Sequence, residues 1–367
     1  MLINDLLDKM EVMRASDLHL KVGRPPLLRI NGKMTPLNLP ALLEAEVEEM
    51  LFTMMTKRQR MKFGEVNEID LSYAPLGSAR FRINAFRQKG TIEIVIRMIP
   101  KDIPSLEELA LPQVLKKIAL ETRGLVLITG ATGSGKSTTM AALVKYINEL
   151  EASHIITIED PIEFIHTDLK SSVTQRELGI DTDSYSVALK YVLRQDPDVV
   201  FIGEMRDLET VSSAITAGET GHLVLSTLHT IDASQSIDRL LDFYPASQQA
   251  QVRHQLANTI TAIVSMRLIE KADGSGRVPA VEVMLGTPTI RSLIRENKLS
   301  AIHGMIQQGA AQYGMQTFDQ SLAELYKQGY ITLERALAEA TSKNDLRLSL
   351  SGIISSVDSA SEHLREE

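Results

Sequence analysis

The residues Gly130-Ala131-Thr132-Gly133-Ser134-Gly135-Lys136-Ser137-Thr138 set small, flexible positions around one cation and adjacent hydroxyls, in the spacing GxxxxGK[ST]. Glycines here let successive backbone N–H groups turn inward onto phosphate oxygens, and a helix that starts directly afterwards adds its positive end. In such a loop Lys136 reaches the β and γ phosphates of a nucleotide and the Ser137 hydroxyl ligates Mg²⁺. A plain Gly/Ser-rich turn has the same composition. The motif, however, lies between the apolar run Gly124 to Thr129 and a helical pattern, the context that phosphate binding requires.

Binding is not hydrolysis, which needs a group to orient or deprotonate water. Two acidic groups follow apolar strand patterns: Glu159-Asp160-Pro161-Ile162-Glu163 after Ile156-Thr157-Ile158, and Gly203-Glu204 after Val199 to Ile202. In a parallel sheet both strand ends open onto the crevice that holds phosphate. Strand geometry favours Glu204 as the base, because helix or turn capping accounts for one or two of Glu159, Asp160 and Glu163. His222 and His229 bracket the run Leu223 to Leu228. His229 emerges at the carboxyl end, where it reaches a γ-phosphate or its water, whereas His222 enters at the far end and reads as a packing or relay residue. Arg80, Arg82 and Arg97 cluster earlier in the chain, the first two on one face of a strand by their spacing of two. They are placed to supply positive charge to a neighbouring subunit's phosphates, while Arg206 and Arg239 are candidates from within the same domain.

Such residues need an α/β scaffold to position them. Leu125–Thr129, Ile155–Ile158, Val199–Ile202 and Leu223–Ser226 read as buried parallel strands, alternating with helical patterns at Ser137–Leu150, Tyr185–Arg194 and Leu208–Ala217. Upstream, Asp17–Val22, Leu27–Ile30, Arg80–Phe86 and Glu93–Arg97 alternate as half-buried strands, with a turn at Asn31-Gly32 and one helix over about Ala45–Phe63. Pro100 and Pro104 bracket a segment that suits neither sheet nor helix. The chain accordingly divides into an α+β module at 1–100, a linker at 101–106, a nucleotide domain at 107–287, and a helical region at 288–367 whose last residues, from Ser355, are polar and frayed.

Composition narrows the chemistry. With no cysteine there are no disulfides, no thiolate zinc sites and no thiol nucleophile. Acidic residues outnumber basic ones, 47 to 39, so no global field attracts nucleic acid or anionic lipid. No leader segment or run of 18 apolar residues is present, which predicts a cytosolic chain whose membrane contact comes through a partner.

Taken in order, the phosphate loop, Ile158-Glu159-Asp160-Pro161-Ile162-Glu163, Gly203-Glu204 and Thr216-Ala217-Gly218-Glu219-Thr220-Gly221-His222 through His229 resemble the type II/IV secretion ATPases, with their aspartate box, atypical Walker B and histidine box. Ala15–Leu20, Arg80–Asn84 and Ile290-Arg291-Ser292-Leu293-Ile294-Arg295-Glu296 extend the likeness towards the branch that retracts type IV pili; the last resembles an element required for retraction, with Thr289 where alanine is usual. The resemblance implies a PAS-like first domain, a RecA-like ATPase domain and a homohexamer with ATP at subunit interfaces. It also implies cofactor Mg²⁺ held through water by Glu204, attacking water polarised by Glu163, and a platform protein of the inner membrane as partner. That shifts the choice of base from Glu204 to Glu163. Assembly and secretion relatives are longer and usually carry a four-cysteine zinc motif, so retraction is favoured over assembly. An accessory retraction paralogue, a nucleotide-dependent switch with little turnover and a nucleic-acid translocase are the alternatives, the last weakened by an aromatic content of 4%.

Overall fold

The computed structural model describes residues 2–30, 32–75, 79–99 and 102–350. Asn31 of the expected turn, Pro100 and Lys101 of the expected linker, and the polar tail from Ser355 lie outside these residues. The chain divides into two compact units. The first runs from the amino terminus to Asp102 and includes Glu163–Ile165; the second comprises Ile103–Ile162 and everything from His166 onward.

The first unit is one antiparallel sheet covered on one face by helices. Its strands are β1 (Asp17–Lys21), β2 (Leu27–Ile30), β3 (Lys33–Pro36), β4 (Glu68–Tyr73), β5 (Arg80–Gln88) and β6 (Thr91–Ile99), in the order β3-β2-β1-β6-β5-β4. Alternation decides the faces: Phe81, Ile83 and Ala85 point into a core shared with Leu6, Leu7 and Met10 of helix α1 (Ile3–Val12), while Arg80, Arg82 and Asn84 take the other side. The single helix expected over Ala45–Phe63 is two, α2 (Glu44–Met54) and α3 (Lys57–Val66). The break has a local cause. Thr56 caps α3 by accepting from Gln59 N, and the Gln59 side chain accepts from Thr56 N in return.

In the second unit a seven-stranded sheet carries helices on both faces. Following α4 (Val114–Ala119), the elements are β7 (Gly124–Thr129), α5 (Lys136–Leu150), β8 (His154–Glu159), β9 (Ser172–Glu177), α6 (Tyr185–Val192), β10 (Val199–Ile202), α7 (Leu208–Glu219) and β11 (Leu223–Leu228). Then come α8 (Ala233–Asp242), α9 (Ala246–Thr259), β12 (Ile260–Glu270), β13 (Arg277–Leu285) and α10 (Pro288–Arg295). The strand order is β13-β12-β7-β11-β10-β8-β9, parallel except for the β12–β13 pair. Strands β7, β10 and β11 are buried throughout because each face meets helices, which is why they are continuously apolar. The helices after Pro288 do not stand apart: Phe318, Leu322 and Leu346 pack against Ile269, Val278 and Ala280 of β12 and β13. Among the described residues no helix is long and apolar enough to cross a membrane.

Candidate nucleotide site

The phosphate loop leaves the carboxyl end of β7, and its shape depends on absent side chains. At Gly130 the backbone has φ of 145°, and a Cβ would come 2.5 Å from both the Met266 carbonyl oxygen and Ser134 Oγ, so no other residue fits. Gly135, at φ of 98°, sits immediately before α5 and lets the helix begin at Lys136. Lys136 is 8% exposed and its Nζ donates to the carbonyls of Gly130 (2.7 Å) and Ala131 (3.0 Å), folding the cation into the loop. Ser134 Oγ is buried with no hydrogen-bond partner among the described residues. An orphaned hydroxyl inside a concave loop of amides is what a phosphate oxygen would satisfy. Ala131, Thr132 and Gly133 are exposed at the loop tip, and Ser137 and Thr138 are half-buried in the first turn of α5.

Parallel pairing brings the other candidates to the same edge. Thr129 lies opposite Leu228, and Gly130 N donates to the Leu228 carbonyl, so His229 leaves β11 beside the start of the loop. One strand further on, Glu204 follows β10. Its Oε1 lies 3.4 Å from His229 Nε2, and its Oε2 accepts from Arg206 Nε (2.9 Å) and Nη2 (2.8 Å). This two-toothed pair holds the Arg206 guanidinium firmly charged. The Gly203 turn is fixed from β11, because Ser226 Oγ donates to the Ile202 carbonyl (2.8 Å) and Thr227 Oγ1 to the Gly203 carbonyl (2.6 Å). A side chain at 203 would strike Tyr185 Oη, 2.8 Å from its Cβ. Burial and the nearby Asp160 carboxylate push the Tyr185 hydroxyl above its usual range, so it stays a proton donor beside the acidic groups.

The remaining candidates divide. Glu159 is buried at the end of β8 and accepts from Thr157 Oγ1 (2.7 Å), whereas Asp160 and Glu163 are exposed. Glu163 falls in the three residues grouped with the first unit. His222 sits at the opposite end of β11, its Nδ1 3.0 Å from the Ala217 carbonyl. Arg239 is not brought to Glu204; it lies over the Phe243 ring, 4.8 Å from the centroid, on the same stretch of chain. In the first unit the strand register sets Arg82 opposite Arg97, Arg97 opposite Asp17, and Asp17 opposite Arg29. Asp17 is buried between its neighbours, accepting from Arg97 Nε (2.9 Å) and lying 3.6 Å from Arg29 Nε. Arg80 enters the same face two residues before Arg82. Asp17 and Arg29 were not among the expected site residues; the signal for them is charge on alternate positions of paired strands, which needs the register to be read.

Comparison with known proteins adds the lineage. The model of the type II/IV secretion system protein family matches residues 2–365. The chain belongs to that family. Among its members, the Pseudomonas aeruginosa "Type IV pilus retractation ATPase PilT" is 47% identical over 92% of this chain and 98% of its own length. The "Type IV pilus ATPase PilU" of the same organism is 46% identical over 94% of this chain and 90% of its own. A crystal structure of the pilus retraction motor PilT with bound ADP superposes with a TM-score of 0.88, at 43% identity, covering 95% of this chain and 99% of that one. For a family member of this kind the phosphate loop, the aspartate box and the histidine box carry the resemblance that their residues suggested.

Proposed function

We propose that this chain is an ATP-hydrolysing motor that retracts type IV pili. The observation that carries the proposal is the joining of Glu204, Arg206 and His229 at the strand edge that also bears the phosphate loop. Its support is the extent of likeness to a retraction ATPase along the whole chain. In this reading the loop amides and Lys136 bind the ATP phosphates, Ser134 Oγ gains its missing partner, and Glu163 polarises the attacking water. His229 senses the γ-phosphate end of the site through Glu204. Arg206 holds the Glu204 carboxylate fixed in direction through two contacts to Oε2, so it needs no reorganisation when substrate arrives.

The residues present fit a magnesium ion. Ser137, in the first turn of the helix after the phosphate loop, would ligate such an ion directly and Glu204 would hold it through water, with phosphate oxygens and water as its other ligands. Such an ion would supply neutralisation of charge gathering on the transferred phosphoryl group. The same reading places six copies in a ring, with Arg80, Arg82 and Arg97 of one copy completing the next copy's site, on the cytoplasmic side of the inner membrane against a platform protein.

The purified protein should hydrolyse ATP only with Mg²⁺, and Lys136→Ala or Glu204→Ala should lower kcat by about 10²-fold or more. Turnover that survives either change sinks this site. In cells, loss of the protein should leave surface pili that no longer retract; loss of pili altogether would mark an assembly motor instead. The near-equal likeness to PilU carries a second reading, an accessory retraction ATPase. Complementation separates the two, because an accessory motor does not restore retraction in a strain lacking both.

A further inference from the structure

Strand β9 is unlike its neighbours. It is the outermost parallel strand and reads Ser-Val-Thr-Gln-Arg-Glu, yet Glu177 at its end is only 3% exposed. The register sets Thr157 beside Gln175 and Glu159 beside Glu177, so four polar side chains share one face. Gln175 Nε2 donates to Glu159 Oε1 (3.2 Å), and Gln175 Oε1 accepts from His166 N (2.9 Å). The amide orientation is forced, since a backbone N–H needs the oxygen and a carboxylate needs the nitrogen. Glu177 Oε2 accepts from Ile162 N (3.3 Å), and Leu178 N donates to the Glu159 carbonyl (2.9 Å). The chain is therefore pinned at 159, 162 and 166. Between the last two pins lie Glu163, Phe164 and Ile165.

The geometry points to Gln175 and Glu177 as positioning residues that fix the loop carrying Glu163. The inference rests on the assignment of Glu163 as the group that polarises water. A loop in solvent would leave that carboxylate to wander, and a misplacement of about 1 Å at a reacting group costs about 10²-fold in rate. One buried acceptor, on Glu177, and one half-buried acceptor, on Gln175, take backbone N–H groups on either side of Glu163 and restrict it without touching it. A polar edge strand then has a purpose beyond ending the sheet: Gln175 and Glu177 turn to the backbone N–H groups of His166 and Ile162, while Ser172 and Thr174 face water.

The experiment uses full-length protein in its assembled form, with kcat and KM for ATP measured beside the Kd of a fluorescent ADP analogue. Glu177→Ala and Gln175→Ala should lower kcat by roughly 10- to 100-fold while KM and Kd stay within about twofold. Glu177→Gln keeps an acceptor oxygen for Ile162 N and should recover to within about threefold of the parent. Gln175→Glu keeps an acceptor for His166 N but faces Glu159 with a second carboxylate, and should stay low. Glu163→Gln alone should be inactive, and adding Glu177→Ala to it should cost nothing more, since one residue acts through the other. Should Glu163→Gln turn over normally, the assignment of the base falls. If Glu163→Gln is inactive but Glu177→Ala and Gln175→Ala keep kcat, the base stands and the positioning inference is overturned. Equal losses in kcat and nucleotide affinity, unrelieved by Glu177→Gln, would likewise overturn it as a general structural effect.

Discussion

Glu282 is a carboxyl group in the middle of β13 that is 3% exposed, with Oε1 accepting from Ala233 N at the start of α8 (3.0 Å). Burial pushes its pKa up to about 7, against the ordinary 4.5; the single backbone hydrogen bond lowers it less, and Asp232 adds to the rise. The native state therefore binds a proton that the unfolded chain has released between those two values. Stability from this group is fully present below pH 4.5 and is lost as pH climbs to 7. Glu282→Gln keeps the acceptor for Ala233 N and removes the charge. We expect thermal melts of the parent to fall across pH 5 to 7.5, and the variant to be the more stable at pH 8 by on the order of 3 kcal/mol. Parallel pH profiles would show that the ionised form is accommodated without cost. Nothing in Val278-Pro279-Ala280-Val281-Glu282-Val283 announces this burial, because it arises from the docking of α8 on the strand. The phosphate loop was legible by contrast: its parts are contiguous, and each glycine answers to backbone geometry rather than to a distant partner.

At the scale of elements, Arg291 is the case where one side chain joins three of them. Its Nε donates to the Gly286 carbonyl (2.6 Å), Nη1 to those of Ala257 (3.2 Å) and Asn258, and Nη2 to that of Ile260 (3.0 Å). The planar fork thus closes the carboxyl end of α9, where helix carbonyls lack partners, and ties α10 to the start of β12. Arg295 adds Nη2 to Asn258 Oδ1 (2.7 Å). Arg291→Ala should cost roughly 2 to 3 kcal/mol and lower Tm by about 3 to 5 °C, with nucleotide affinity kept because the phosphate loop lies at the other end of β7. Arg291→Lys should restore little of this, since an ammonium cannot reach carbonyls in several directions from one plane. Differential scanning of the two variants decides it. Elements were legible in proportion to how far their own residues set them. Strands β7, β8, β10 and β11 were found from continuous apolar runs, but β3 is exposed throughout and β9 is polar, so neither has a core-facing pattern to read. The long strands β12 and β13 were missed because an apolar stretch of helical length does not reveal its period when both faces are buried. The break between α2 and α3 had a visible sign in Thr56 and Gln59, three apart.

For the whole molecule, the arrangement of charge in the first unit argues for an anion from elsewhere. Arg82 and Arg97 stand directly opposite on β5 and β6, a like-charge pair that weakens a sheet unless something offsets it. Asp17 offsets one of them, through Nε of an Arg97 that is otherwise 67% exposed. With Arg29 in the same row, two guanidinium groups flank the Asp17 carboxylate and Arg82 adds a third, which leaves a surplus of positive charge in that row. In a ring this surplus would be satisfied by the phosphates of the adjacent copy, and such a contribution is worth about 10³ to 10⁵ in rate. Mixing tests it directly. A chain carrying Arg82→Ala with Arg97→Ala, and a chain carrying Lys136→Ala, should each be inactive alone. Assembled together in equal amounts, they place an intact loop against an intact arginine row at roughly a quarter of the interfaces, given the head-to-tail contacts of a cyclic ring. Hydrolysis should then return to a comparable fraction of the parent rate, with co-purification of differently tagged chains showing that the rings are mixed. Mixed rings without recovered hydrolysis would place the arginines at their own copy's phosphates, or at none.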